Sequence, residues 1–519
     1  MPSFKVFSGA VIGLDCFAID VEVDSTPGLH SLNIVGLPDK SVQESKDRIE
    51  SAIRNSGFVS PHKKNNRVIV NLAPADIKKE GPAYDLPIAI GYLMATKQLK
   101  PYSGKRIVSG ELSLDGSLRR ISGVLPMAML AQELGFDEII IPKENVAEAS
   151  VVKNLRVIGA ATLKEVCGYL HKPDLIEPTS HLNYSDYVLK SSRGSDLHDF
   201  DIYHVRGQEN AKRAILIAAS GGHNLLMYGP PGSGKSMIAQ SLSSILPEMS
   251  QSEALEVTKI YSIAGLIKDE PIVKIRPFRS PHHTTSAVAV IGGGTWPKPG
   301  EISLAHRGVL FLDELPEFSR SVIEALRQPV ESGEVVVSRA AGSVKFPSRF
   351  MLVAAINPCP CGNYGDELKS CVCSANSIFK YQRKISGPML DRIDIQINVP
   401  RETYDKISGK ASGVKSSEMR SMVTKARSIQ RERLFDSNLQ TNSEMRPKEI
   451  EKYCNLDSEA EGLVKKAVTS HNLSGRGYHK ILKISRTIAD LDNSENIILK
   501  HVAEAISYRI KNESDSFGI

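Results

Sequence analysis

Residues 229–236 read Gly-Pro-Pro-Gly-Ser-Gly-Lys-Ser, follow the apolar run Asn224-Leu225-Leu226-Met227-Tyr228, and precede a helical window. A glycine-rich turn between a strand and a helix, closed by Lys-Ser, has the spacing of a phosphate-binding loop. Gly229, Pro230, Pro231, Gly232, Ser233 and Gly234 would let successive backbone N–H groups converge on phosphate oxygens, and the helix start adds positive potential. Lys235 can then reach the terminal phosphates and Ser236 can ligate Mg²⁺. Such a loop constrains the surrounding chain to an α/β domain with a largely parallel sheet, and the expected ligand is ATP with Mg²⁺.

Downstream, Val309-Leu310-Phe311-Leu312-Asp313-Glu314 is an apolar run ending in two acids. A buried strand of this kind delivers Asp313 to the metal and Glu314 toward the attacking water. A third run, residues 351–356, ends in Asn357-Pro358. Asn357 at a strand's carboxyl end can orient water near the γ-phosphate, or it can simply form a turn. These bursts and the helical windows between them define an α/β domain over residues 201–400. Residues 1–170 alternate β-like segments (17–23, 68–72, 138–141) with helical ones (41–56, 83–96, 125–134), which predicts a separate mixed α/β domain. Residues 171–200 are polar and contain Pro173 and Pro178, as suits a linker, and 401–519 predict a helical domain with a flexible connection over 407–417.

The set GPPGSGKS, VLFLDELPEF, ALRQPVESGEVVVSRA, AAINPCPCG and GPMLDRIDI resembles the magnesium-chelatase-like AAA+ ATPases, and closely the ComM/YifB family. The resemblance extends to SGRGYHKILKISRTIADL near the C-terminus. It implies an AAA+ core with a C-terminal helical lid. It further implies that Asn357 is the first sensor, Arg392 of Leu390-Asp391-Arg392 the arginine finger, and Arg476 the second sensor. A guanidinium from a neighbouring subunit would neutralise charge on the transferring phosphoryl group and tie hydrolysis to assembly of a homo-hexamer. Taken without the family, Arg392 between two aspartates reads as a local ion pair. Around Lys79-Glu80-Gly81-Pro82, Gly110-Glu111-Leu112 and Ile140–Asn145 the N-terminal domain resembles the proteolytic domain of Lon. Ala83 stands where that family has its serine and Leu125 where it has its lysine, so a non-proteolytic scaffold is expected.

Four of the seven cysteines form two Cys-x-Cys pairs, Cys359/Cys361 and Cys371/Cys373, around a nine-residue loop. They can supply four thiolates to one tetrahedral Zn²⁺ or stand as reduced thiols. Cys16, Cys167 and Cys454 are isolated and read as packing residues. Residues 335–344 alternate into and out of a turn, predicting a hairpin, which the family would place with Arg339 toward a central pore. Residues 278–300 combine Gly, Pro and His with the only tryptophan, Trp296; they suit contact with nucleic acid or packing between subunits.

Net charge is +6 over 519 residues, which permits a nucleic-acid partner without demanding one. No run approaches the roughly 18 apolar residues of a membrane span, and the N-terminus has no basic, then unbroken apolar, leader pattern, so a cytoplasmic protein without a membrane partner is expected. The leading functional expectation, which the resemblance implies, is a hexameric ATP-driven motor on branched or single-stranded DNA, a branch-migration helicase in recombination or natural transformation; the alternative is a chaperone-like or magnesium-chelatase-type ATPase remodelling a protein partner.

Overall fold

The computed structural model describes residues 4–63, 65–102, 104–191, 200–268, 270–294, 297–339, 342–366, 368–403, 414–470 and 473–509. Trp296 and residues 407–413 of the expected connection lie outside them. The chain divides into two units, Met1–Gly194 with Ser250–Lys274, and Ser195–Met249 with Ile275–Ile519.

The first unit is built on a seven-stranded mixed sheet. Its spatial order is Ser31–Val35, Asn66–Ala73, Asp15–Pro27, Phe4–Ile12, Arg106–Val108, Glu138–Pro142, Arg156–Ala160. Alternation along Asp15–Pro27 puts Ile19, Val21 and Val23 in the core. The helix Lys40–Asn55 is capped by the Asp39 side chain, which accepts from the Val42 N–H at 2.8 Å. It buries Val42, Ser45, Ile49, Ala52 and Ile53, the three-and-four spacing of one helical face. Asp85–Ala95 is buried along nearly its whole length. Its buried Asp85 is gripped bidentately by Arg48 at 3.0 and 3.1 Å. The carboxyl is nonetheless pushed up to about 6 by burial, against the pull of Arg48.

The helix Gln251–Ile263 belongs to this unit although it follows the phosphate-loop helix in sequence. It packs on Val124–Glu133, the Ser262 carbonyl accepts from the Gly123 N–H at 3.1 Å, and the Ser262 hydroxyl donates to buried Glu148. Leu125 is a core residue whose backbone N–H donates to Glu148 Oε1 at 3.1 Å, and Ala83 lies in the short turn Pro82–Tyr84 with its carbonyl accepting from the Gly110 N–H.

The second unit contains a five-stranded sheet in the order Phe278–Arg279, Val309–Leu312, Met351–Ile356, Leu225–Tyr228, Ile395–Asn398, with every pairing parallel. Val309–Leu312 and Met351–Ile356 are buried throughout, as expected of strands covered on both faces. An antiparallel hairpin pairs Glu334–Arg339 with Gly342–Pro347; the Arg339 backbone is in it, and its side chain lies outside the described residues. The described part of residues 278–300 forms regular elements. Arg279 is held bidentately by Glu301 at 2.6 and 2.7 Å, and the helix Ala287–Ile291 and a two-stranded ribbon follow.

The carboxyl-terminal part is helical, comprising Ser416–Leu434, Pro447–Tyr453, Ser458–Ser470, Gly475–Leu491 and Leu499–Ser507. Gly475–Leu491 serves two cores at once: Ile481, Ile484 and Ile488 face the sheet's cluster, while Leu482 and Ala489 face the helical one. Lys480 on this helix lies 2.8 Å from Asp394, just before the edge strand. Although burial opposes it, Lys480 and His223 hold the Asp394 carboxyl far below the usual carboxylate range. No helix among the described residues is long and apolar enough to cross a membrane.

Candidate functional site

The phosphate loop leaves the sheet at the carboxyl end of Leu225–Tyr228. Gly229 donates to the Ile356 carbonyl at 3.2 Å, and a Cβ there would lie 2.1 Å from the Val399 carbonyl oxygen, so only glycine fits. Gly232 and Gly234 have φ of +78° and +92°, and a Cβ on either would meet open space. That combination of left-handed backbone and an open cradle fits a phosphate chain held by N–H groups. The helix Lys235–Ile245 begins directly after. Lys235 Nζ donates to the carbonyls of Gly229 and Pro230, each at 2.8 Å, and burial pulls its ammonium down to about 8 against the fields of Asp313 and Glu314. The Ser236 hydroxyl donates to Asp313 Oδ2 at 2.7 Å. These hard oxygen donors, one neutral and one anionic, suit Mg²⁺.

Val309–Leu312 carries Asp313 and Glu314 to the same edge. Glu314 has φ +51°, a left-handed conformation rare for a residue with a side chain and typical of functional sites. Its carboxylate is half exposed and lies 4.0 Å from His283 Nδ1. Asn357 follows the strand Met351–Ile356, whose last residue pairs with Tyr228, so it stands beside the start of the phosphate loop.

Arg392 and Arg476 lie elsewhere. Asn224, just before the strand Leu225–Tyr228, donates through its side-chain amide to the Arg392 carbonyl at 3.3 Å. At about 3.3 Å per residue Asn224 and Tyr228 are about 13 Å apart, so the Arg392 backbone is anchored at the edge opposite the phosphate loop. Its guanidinium donates to the carbonyls of Arg327 and Pro388 at 2.9 and 2.7 Å and to Glu331 Oε2 at 2.5 Å. Arg476 donates to the other Glu331 oxygen, Oε1, at 3.0 Å. One carboxylate therefore brings the two arginines together, away from the loop.

The four clustered cysteines converge: their sulfurs all lie within 4.8 Å of one another. Cys359–Cys361, Cys359–Cys371 and Cys361–Cys371 are separated by 3.4, 3.7 and 3.6 Å. A tetrahedron with Zn–S bonds of about 2.3 Å has edges of about 3.8 Å, so the set fits that ion. N–H groups of Asn363 and Val372 pull the Cys361 thiol down to about 6. Burial pushes Cys16, Cys167 and Cys454 up to about 12, which leaves them poor nucleophiles.

Three family models match the chain: magnesium chelatase subunit ChlI over residues 201–407, a second ChlI model over 21–145, and the ChlI C-terminal model over 413–509. The chain is 44% identical to competence protein ComM of Haemophilus influenzae over 507 residues, covering 97% of each. It is 40% identical to YifB of Escherichia coli over 506 residues, 97% of this chain and 96% of that one. The chain belongs to the ComM/YifB family of magnesium-chelatase-like AAA+ ATPases.

A more distant relative, the magnesium-chelatase 38 kDa subunit of Rhodobacter capsulatus, is 30% identical over 171 residues, covering 30% of this chain and 49% of that subunit. Within this ComM/YifB chain the fold adds residues that motif reading passed over. Gln208, with φ +56°, donates through Nε2 to the Pro400 carbonyl at 2.6 Å and lies 3.5 Å from that of Ser233. Arg401 donates to the Pro231 carbonyl at 3.2 Å. His283 meets Glu314 because Phe278–Arg279 is the strand next to Val309–Leu312. The Gly-Gln pair at 207–208 before a helix was the one local signal available; the others are tertiary.

Proposed function

We propose that this chain is a Mg²⁺-dependent ATPase that works as a cytoplasmic homo-hexamer and drives movement of branched or single-stranded DNA, as in branch migration during recombination or natural transformation. In this reading Gly229 to Ser236 hold the ATP phosphates, Ser236 and Asp313 hold Mg²⁺, Glu314 orients and deprotonates water, and Asn357 fixes that water's position. Bound Mg²⁺ offsets the negative charge of the phosphates. Arg392 and Arg476 act on the nucleotide of a neighbouring subunit, and the four cysteines hold a structural Zn²⁺.

The observation that carries the assembly is the placement of Arg392 at the sheet edge opposite its own phosphate loop. An arginine so anchored completes a site only when another copy presents one. DNA as the partner is supported by the net charge of +6, by the hairpin Glu334–Arg339/Gly342–Pro347, and by the name of the Haemophilus influenzae relative, since competence is the capacity to take up DNA. The first unit serves as a scaffold, because Ala83 offers no hydroxyl and Leu125 no amine. The test is ATP turnover with and without forked or four-way DNA at low salt. Stimulation supports the motor; its absence together with absence of binding favours the second reading, remodelling of a protein partner, which the partial likeness to a magnesium-chelatase subunit supports.

A further inference from the structure

The cysteine loop and the phosphate loop touch. A Cβ on Gly362, whose φ is +80°, would lie 2.5 Å from Pro231 Cδ and 2.9 Å from its Cγ, so the backbone at Gly362 lies flat against the phosphate loop. Four residues later the Asp366 carboxylate, only 3% exposed, lies 3.2 Å from Arg401 Nε. The same guanidinium donates from Nη2 to the Pro231 carbonyl at 3.2 Å. One arginine therefore ties the cysteine loop to the loop that carries Lys235, and a planar fork with donors on two sides suits that bridging better than an ammonium would.

What keeps Asp366 in place is not a hydrophobic core. Tyr364, Leu368 and Val372 are 50%, 74% and 86% exposed, so the loop's apolar side chains point to solvent. Its inward-facing feature is the sulfur cluster, with Cys359 fully buried. Outside the cluster, Gln382 secures the loop's start by donating to the Pro358 carbonyl at 3.2 Å. A buried carboxylate needs a rigid frame to stay aimed at its partner, and a tetrahedral metal supplies one where packing does not.

We propose that the four-cysteine loop is a zinc-fixed brace for the phosphate loop, with Gly362, Asp366 and Arg401 as positioning residues that set affinity for the nucleotide. This rests on the reading of residues 229–236 as an ATP site. The link through Asp366 and Arg401 acts on binding rather than on the chemical step, because its contacts reach Pro231 and not Asp313, Glu314 or Asn357. Its signature is a rise in KM for ATP with kcat nearly kept.

The experiment uses the full chain. Zinc content is measured by elemental analysis and affinity by titration with a fluorescent ATP analogue plus Mg²⁺. Asp366→Asn is expected to keep about one zinc per chain and its fold, and to weaken analogue binding about 10-fold, the scale of one lost ion pair between a buried carboxylate and its guanidinium. Arg401→Gln should weaken it similarly. The double variant should be no worse than either single one, since both break the same link. Removing zinc from wild-type protein with a chelator should weaken binding to at least the same degree, and adding zinc back should restore it, which keeps the test informative if Cys371→Ser fails to fold. Full zinc with wild-type affinity in Asp366→Asn and Arg401→Gln would overturn the brace, as would unchanged affinity after chelation. Wild-type protein that binds the analogue yet carries no zinc would overturn the metal. Wild-type protein that does not bind the analogue at all would instead sink the ATP-site reading.

Discussion

The Ser236 hydroxyl and the Asp313 carboxylate meet at 2.7 Å, joining the first turn of one helix to the end of a strand 77 residues away in sequence. A divalent cation taken up there needs both oxygens turned toward it, so the hydrogen bond holds the donors in readiness for the metal. Asp313→Ala is therefore expected to abolish Mg²⁺-dependent turnover, and Lys235→Ala to abolish nucleotide binding. Glu314→Gln should bind ATP with near wild-type affinity and hydrolyse it at least ~100-fold more slowly, the usual contribution of a general base. Wild-type turnover in any of the three would refute the assignment.

Lys235 gives a pH signature. Its free ammonium sits at about 8, chiefly through burial, and phosphate oxygens placed beside it raise it again. Above pH 8 the free protein has lost this proton and the bound form keeps it. Binding then takes up a proton, and affinity falls as pH rises from 8 toward 10; at pH 7 both forms are protonated and this group contributes no uptake. Calorimetry at pH 7 and pH 9, in buffers of different ionisation enthalpy, measures the difference, and equal uptake at both would contradict it.

Arg392 should act across a subunit boundary. Arg392→Ala and Lys235→Ala proteins, each inactive alone, should regain part of their hydrolysis when mixed, because some interfaces then pair an intact loop with an intact arginine. Mixed rings, demonstrated by differential labelling, that stay inactive would exclude this arrangement.

Asp394 anchors the sheet to the helix Gly475–Leu491 through Lys480 at 2.8 Å and through the Asn224 N–H at 2.9 Å. Removing one partner of a buried ion pair leaves the other uncompensated, so Asp394→Ala should destabilise this unit by about 3–5 kcal/mol. Because the native carboxyl titrates well below its unfolded value of about 4, the contribution is complete above that pH and is lost only as pH falls further. Thermal unfolding at pH 7 reads the loss.

The hairpin carrying Arg339 should hold nucleic-acid backbone rather than read bases, so binding should weaken steeply with salt and depend little on sequence. Arg339→Ala should lower DNA-stimulated turnover while basal hydrolysis is kept. Unchanged stimulation would move the DNA contact elsewhere.

The phosphate loop and the acidic strand end were legible because each is a contiguous strand-turn unit whose chemistry depends on neighbours in sequence. The strands at 225–228, 309–312 and 351–356 were legible for the same reason: buried parallel strands are uniformly apolar. The helical domain read over 401–519 did not show where its helices end: Pro447–Tyr453 stops at Cys454 and the next helix begins at Ser458, a division that local periodicity blurs. Arg392 and Arg476 were found only through family likeness, and their shared partner was invisible because Glu331 is 61 and 145 residues from them. His283, Gln208 and Arg401 acquire meaning from strand order and loop contact, which no linear spacing encodes.

The docking of Gln251–Ile263 within the first unit bears on how the chain can be divided. The polypeptide passes between the two units three times, near residues 194, 249 and 274, so no single cut separates them. A protein begun at residue 201 would retain that helix but lose Val124–Glu133, on which it packs, and Glu148, to which Ser262 donates, leaving the face turned toward them uncovered. Insolubility of such a fragment would reflect an orphaned helix rather than an unstable nucleotide-binding fold. Replacing residues 250–274 with a short polar link is the excision that respects the architecture.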